Sequence, residues 1–260
     1  MRIVRFLAKE EARYGILEDQ GRIRSLRGEP FDRMEDDGEH FRLSQVELLA
    51  PCEPSKVVGI GLNYRDHAEE VGIELPKEPM LFLMPSTAVI GPGQKIRLPE
   101  VSERVDYEGE LAVVIRRRTF RIAADQTADC ILGYTCFNDV TARDLQLKDV
   151  QFTRSKGFDT FAPIGPWIVT DVDPASLAIE TYVNGIRKQC SNTRHLLFDP
   201  YQLVTSISWV MTLNPGDVIA SGTPAGIGPM KCGDRVEVRI QGIGSLINEV
   251  GSWEKHPSEP

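Results

Sequence analysis

Cysteine is sparse and unpaired in this chain. Cys52, Cys130, Cys136, Cys190 and Cys232 are scattered, odd in number and without C-x-x-C spacing. A disulfide scaffold is therefore not expected, and a reducing cytoplasm is the expected compartment. Long apolar runs are also missing, since each is soon broken by Gly or Pro, and the opening residues alternate charged with apolar side chains. Neither a membrane span nor a signal peptide is expected. Basic charge is in deficit, with 30 Lys and Arg against 38 Asp and Glu for a formal net charge of −8. That argues against nucleic acid and anionic membranes as partners, because phosphate is held by basic patches. The one basic run, Arg116-Arg117-Arg118, reads as a solvated strand end. No G-x-S-x-G occurs, which removes the nucleophile elbow of a serine hydrolase. The turn Gly59-Ile60-Gly61-Leu62-Asn63-Tyr64 lacks the third glycine of a dinucleotide-binding fingerprint.

What is present begins with room for a core: 260 residues, 41% hydrophobic, suffice for one well-buried domain and a small appendage. Pro51 and Pro54 mark a boundary, giving a small β-rich unit over 1–51 and a larger domain over 52–260. In the first unit Asp19-Gln20-Gly21-Arg22 reads as a hairpin turn and Glu35 to Glu39 as an acidic loop. Periodicity supports an α+β, strand-rich fold. Asp199-Pro200 opens a helix with an apolar stripe through Leu203, Val204 and Ile207, and 235–240 with 245–250 read as a closing hairpin.

The stretch Asp106 to Ile115 reads as a strand with Asp106, Glu108 and Glu110 on one face. A solvated acidic face is one reading. The other is a cation site, because clustered carboxylates repel one another until something positive lies between them. Asp139 ends a second apolar strand at an expected strand-to-helix junction, where a helix N-cap is its plain role. Together with Glu108 and Glu110 it would complete an all-oxygen set suited to Mg²⁺ or Mn²⁺. Asn63 is the expected N-cap of a helix over 64–71, on which His67 and Glu70 lie three apart and share a face, with Gly72 as its stop. Arg143 and Gln146 share a helix face in the same way. Lys156 lies in a polar loop, and Ser221-Gly222-Thr223-Pro224 is a glycine-rich turn.

The segments DYEGELAVVI, GYTCFNDVTARDLQ, TRSKGFDTFAPIGPWIV and SGTPAGIG, in that order, resemble the fumarylacetoacetate hydrolase superfamily over about residues 52–250. Its members cleave, decarboxylate or tautomerise β-diketo acids. The resemblance implies a mixed β-roll or sandwich catalytic domain with few helices, preceded by a small β-rich domain, and a homodimer as the usual assembly. It assigns Glu108, Glu110 and Asp139 to Mg²⁺, with Mn²⁺ as the alternative, and Lys156 to the active-site lysine. It also places His67 and Glu70 on a lid helix, Arg143 and Gln146 beside the substrate, and Gly222 and Thr223 at its α-keto acid end. The expected chemistry is hydrolytic C–C cleavage of an acylpyruvate or fumarylpyruvate through a metal-stabilised enolate, with His67 activating water. Alternatives are 2-hydroxyhepta-2,4-diene-1,7-dioate isomerisation, oxaloacetate-type decarboxylation or tautomerisation, and a non-catalytic dicarboxylate-binding module. His195 and His256 receive no role.

Overall fold

The computed structural model describes residues 1–72 and 74–253. Strands β1 (Arg2–Ala8), β2 (Glu11–Leu17), β3 (Arg22–Leu26) and β4 (Asp36–Arg42) form an antiparallel meander, and β5 (Glu47–Leu48) pairs with β1. The acidic stretch expected as a loop thus enters β4 at Asp36. Its carboxylates lie beside cations, Asp37 near Arg13 and Asp36 near Arg24, which offsets their low strand preference.

The chain then runs through β6 (Val57–Gly61), α1 (Arg65–Val71), β7 (Met80–Met84), β8 (Val89–Ile90), β9 (Lys95–Leu98), β10 (Val105–Tyr107) and β11 (Gly109–Ile115). Next come β12 (Ile131–Asn138), β13 (Thr141–Ala142), α2 (Arg143–Lys148), α3 (Thr153–Lys156) and β14 (Ala162–Val169). The last third holds β15 (Ala178–Val183), β16 (Ile186–Asn192), α4 (Pro200–Val210), β17 (Val218–Ala220), β18 (Gly228–Pro229), β19 (Arg235–Ile240) and β20 (Gly244–Ser252). The fold is α+β and strand-rich, with few helices, as the sequence implies.

One long mixed sheet runs β4-β3-β2-β1-β14-β12-β11-β17-β6-β7, so the N-terminal meander continues it through the pairing of β1 with β14. A second sheet, β16-β15-β19-β20-β9, packs across it. Strand β11 is central and buried on both faces. Leu111, Val113 and Ile115 meet the second sheet and α4, whereas Ala112 and Val114 pack with Val57, Ile164 and Ile168. This explains its unbroken apolar run, which a strand with one wet face would not tolerate.

Helix α4 starts as expected. The Asp199 carboxylate accepts the Gln202 amide at 2.8 Å, and the Gln202 side chain accepts the Asp199 amide at 2.9 Å. Its Leu203, Val204 and Ile207 join the central core. Among the described residues no helix is long and apolar enough to cross a membrane.

Candidate metal centre and its pocket

The expected strand from Asp106 to Ile115 is broken at Glu108. There the Glu108 amide donates to Asn138 Oδ1 at 2.9 Å, and the Glu108 carbonyl accepts the Asp139 amide at 2.9 Å. Gly109 still pairs with Asn138, so Glu108, Glu110 and Asp139 converge where β11 and β12 meet. One carboxylate oxygen from each lies within 4.8 Å of the others, and all three residues are buried. Asp106 leaves this group. It is fully buried and binds Arg104 and Arg143 instead. Asp139 caps no helix, because β13 intervenes and α2 begins at Arg143.

Positive charge around the triad is uneven. Lys156 sits at the end of α3 rather than in a loop and is 3% exposed. Its Nζ donates to Asp139 Oδ2 at 2.6 Å, Thr141 Oγ1 at 2.9 Å and Glu108 Oε2 at 3.1 Å, which uses all three ammonium hydrogens. Arg143 donates to Glu108, to Asp106 at 2.9 Å and to Gln146 Oε1 at 2.5 Å. Burial by itself would push the Glu108 carboxyl up, but Lys156 and Arg143 hold it down at about 2. Burial raises Asp139 to about 6 despite Lys156, with Glu108 adding to the rise. Among the described residues no cation forms an ion pair with Glu110, and Lys156 offsets its neighbours' charge only in part. Burial first, then Asp139 and Glu108, push the Glu110 carboxyl well above the ordinary carboxylate value.

The donor set fits a hard divalent cation. All three ligating groups are oxygens, Asp139 Oδ1 is buried without a hydrogen-bond partner, and Glu110 lies among like charges that a cation would offset.

The triad opens on a cavity of about 220 Å³, whose apolar lining is Ile60, Leu62, Met80, Phe82, Leu147 and Phe152. His67 also lines it and is 6% exposed. Its Nδ1 lies 3.0 Å from Glu70 Oε2, and Glu70 Oε1 accepts the Gly226 amide at 3.0 Å. Helix α1 ends at Gly72 in the left-handed conformation, as expected. Asn63 does not cap it. The Asn63 side chain instead donates to the carbonyls of Phe198 and Ser221 and accepts the Phe198 amide, tying the turn before α1 to the loop after β17.

That loop reaches the triad because β17 pairs with β11, Ala220 against Ala112. The Gly222 amide donates to Glu110 Oε2 at 2.8 Å, so it orients a carboxylate of the triad. Gly222 has φ +96°, and a Cβ there would meet the Asn63 Cβ at 2.7 Å, so only glycine fits. Thr223 Oγ1 donates to the Gly109 carbonyl at 3.0 Å, which commits its hydroxyl hydrogen to the protein. A ligand oxygen would therefore have to take its backbone amide.

All ten residues singled out from the sequence thus lie in or against one site. Asn138, Thr141 and Gln189, whose Oε1 accepts the Gly109 amide at 2.9 Å, carry no local sequence signal, since each is set by contacts across strands. His195 is exposed beside Arg194, away from the site, and His256 lies outside the described residues.

Comparison with known proteins identifies the family. The family described as Fumarylacetoacetate (FAA) hydrolase C-terminal matches residues 56–251, and the Rv2993c-like, N-terminal family matches residues 1–51. A crystal structure of 5-carboxymethyl-2-hydroxymuconate delta-isomerase from Mycobacterium smegmatis is 44% identical with a TM-score of 0.92, over 97% of this chain and 100% of that one. Maleylpyruvate hydrolase from Sphingobium sp. SYK-6, solved with manganese and pyruvate, is 30% identical with a TM-score of 0.81, over 98% and 100%. Oxaloacetate tautomerase YisK of Bacillus subtilis is 41% identical over 226 residues, 81% of this chain and 75% of that protein. The chain belongs to the fumarylacetoacetate hydrolase family.

Proposed function

We propose that this chain is a divalent-metal-dependent enzyme acting on small 2-oxo acids with a second carbonyl two carbons away, and that it hydrolyses the bond between C3 and that carbonyl. One observation carries the hydrolytic reading. His67, held by Glu70 at 3.0 Å, lines the same 220 Å³ cavity as the acid triad and Lys156.

A Mg²⁺ or Mn²⁺ ion held by Glu108, Glu110 and Asp139 would supply Lewis-acid stabilisation to the oxygens of the oxo acid. The rest falls to the chain's own groups. Glu70 accepts the Nδ1 hydrogen of His67, which leaves Nε2 as the base. His67 takes a proton from a water that attacks the distal carbonyl, then returns it to C3 of the departing half, giving a carboxylic acid and pyruvate. Three carboxylates on a divalent cation would leave the site at −1, and Lys156 offsets that charge, so an anionic substrate is not repelled. The apolar wall from Ile60 to Phe152 keeps bulk water from the reacting bond.

A second reading is keto–enol tautomerisation of an oxaloacetate-like acid, favoured by the 41% identity to an oxaloacetate tautomerase. His67 would then shuttle a proton between C3 and the 2-oxygen, and no bond between carbons would break.

The test uses metal-stripped protein with and without Mn²⁺ or Mg²⁺, following enol absorbance of acetylpyruvate with oxaloacetate in parallel. Metal-restored acetylpyruvate cleavage that is lost in Glu110→Ala and His67→Ala is the expected result. Accelerated loss of oxaloacetate enol absorbance without pyruvate formation, and without acetylpyruvate cleavage, favours the second reading, whereas pyruvate formed from oxaloacetate indicates decarboxylation. Turnover of neither substrate, nor of a longer dienedioate, contradicts both and leaves a binding module.

A further inference from the structure

Gln189 lies in β16, outside the pocket lining, and is 1% exposed. Its side-chain amide is spent on the wall behind the triad. Oε1 accepts the amide of Gly109, the residue joining Glu108 to Glu110, at 2.9 Å. Nε2 donates to Thr223 Oγ1 and to the Pro224 carbonyl, both at 2.8 Å. The Thr223 hydroxyl donates back to the Gly109 carbonyl, which closes a ring of hydrogen bonds.

Two residues past Pro224 the same loop meets the histidine pair. The Gly226 amide donates to Glu70, and its carbonyl accepts the Tyr107 hydroxyl at 2.9 Å. At Gly226, φ is +99° and a Cβ would meet the Lys188 carbonyl oxygen at 2.4 Å, so the loop lies flush on β16 beside Gln189. One loop thus serves Glu110 at one end, through Gly222, and Glu70 at the other, through Gly226.

We propose that Gln189 is a positioning residue: it sets the Gly222–Gly226 loop against Gly109 and so aligns Glu110 and the Glu70–His67 pair, neither of which it touches. The proposal rests on the reading of His67 and Glu70 as the proton-moving pair. Asn63 holds the start of the loop, and Tyr107 with the pairing of β10 and β18 holds its end, so Gln189 is the clamp on its middle, at Thr223 and Pro224, and its loss lets the Gly226 amide shift away from Glu70. The Gly226 amide is the loop's hydrogen bond to α1, and releasing it loosens that helix while the central strands stay as they are.

The experiment is amide hydrogen exchange on the full chain, comparing wild type, Gln189→Met, Glu70→Ala and the double variant. Methionine fills the space without hydrogen bonds. Exchange across Arg65–Val71 is expected to accelerate at least threefold in each single variant, with β11 and β12 unchanged. The double variant should go no further than the faster single, because both act through one contact. Acceleration below threefold, equal acceleration in β11 and β12, or additive effects overturn the proposal. Should Gln189→Met fail to fold, Gly226→Ala displaces the same amide and takes its place in the comparison.

Wild-type turnover separates this proposal from the functional reading. Metal-dependent turnover with unchanged exchange removes the role of Gln189 and leaves the function. The expected exchange pattern in a protein inert toward acetylpyruvate and oxaloacetate does the reverse.

Discussion

Replacing Lys156 with methionine removes a buried charge while keeping a stem of similar length, and its cost is expected to depend on metal. The ammonium is 3% exposed and compensates Glu108 and Asp139 at 3.1 and 2.6 Å. Removing one partner of a buried ion pair costs about 3–5 kcal/mol, because a charge is stranded. For a domain of 150–250 residues each kcal/mol moves the melting temperature by about 2–4 °C, so a fall of about 6–20 °C is expected in EDTA at pH 8. A divalent cation at the triad offsets the same carboxylates. Saturating Mn²⁺ should therefore recover more than half of the loss. Thermal unfolding by circular dichroism with EDTA and with Mn²⁺ reads both values. An equal loss in the two conditions would show that the carboxylates do not share their charge compensation between Lys156 and a metal.

Metal binding should strengthen with pH. Asp139, at about 6, and Glu110, well above the ordinary value, must release protons to ligate a cation, so Mn²⁺ affinity measured by electron paramagnetic resonance should rise between pH 5 and 7.5. The sign for stability is opposite in metal-free protein. Both carboxyls are raised on folding, so the stability they contribute is present at low pH and lost as pH rises, through about 6 for Asp139 and higher for Glu110, which melting in EDTA would show. Glu70→Gln keeps the shape of the pair but weakens its hold on His67. A fall in kcat of about 10²-fold, at the lower end for a general base, is expected with little change in Mn²⁺ affinity. Asp199→Ala breaks the cap of α4 and should cost about 1 kcal/mol by urea unfolding, leaving turnover intact.

Much of the fold was legible because its signals are local. The cap at Asp199, the closing hairpin of β19 and β20 and the stop at Gly72 are each set by residues within a few positions. What was not legible depends on partners far along the chain. The break at Glu108 arises from Asn138, the strand character of Asp36 to Glu39 from pairing with β3, and the role of Asn63 from carbonyls at 198 and 221. The triad could be read from residue type together with family resemblance, whereas the alternation of Asp106, Glu108 and Glu110 on one face would have chosen the wrong third acid. Arg143 shows the same limit. Its spacing from Gln146 was visible, but its commitment to Asp106 and Glu108 was not.

Ligation of a divalent metal by Glu108, Glu110 and Asp139 is the step on which the proposed chemistry depends. Crystals of the wild-type chain and of Glu110→Ala, both soaked in MnCl₂ and measured at the manganese absorption edge, test it most directly. An anomalous peak enclosed by the three carboxylates in the wild type and lost in the variant is the expected result. A peak elsewhere, no peak, or one unchanged in the variant would contradict it.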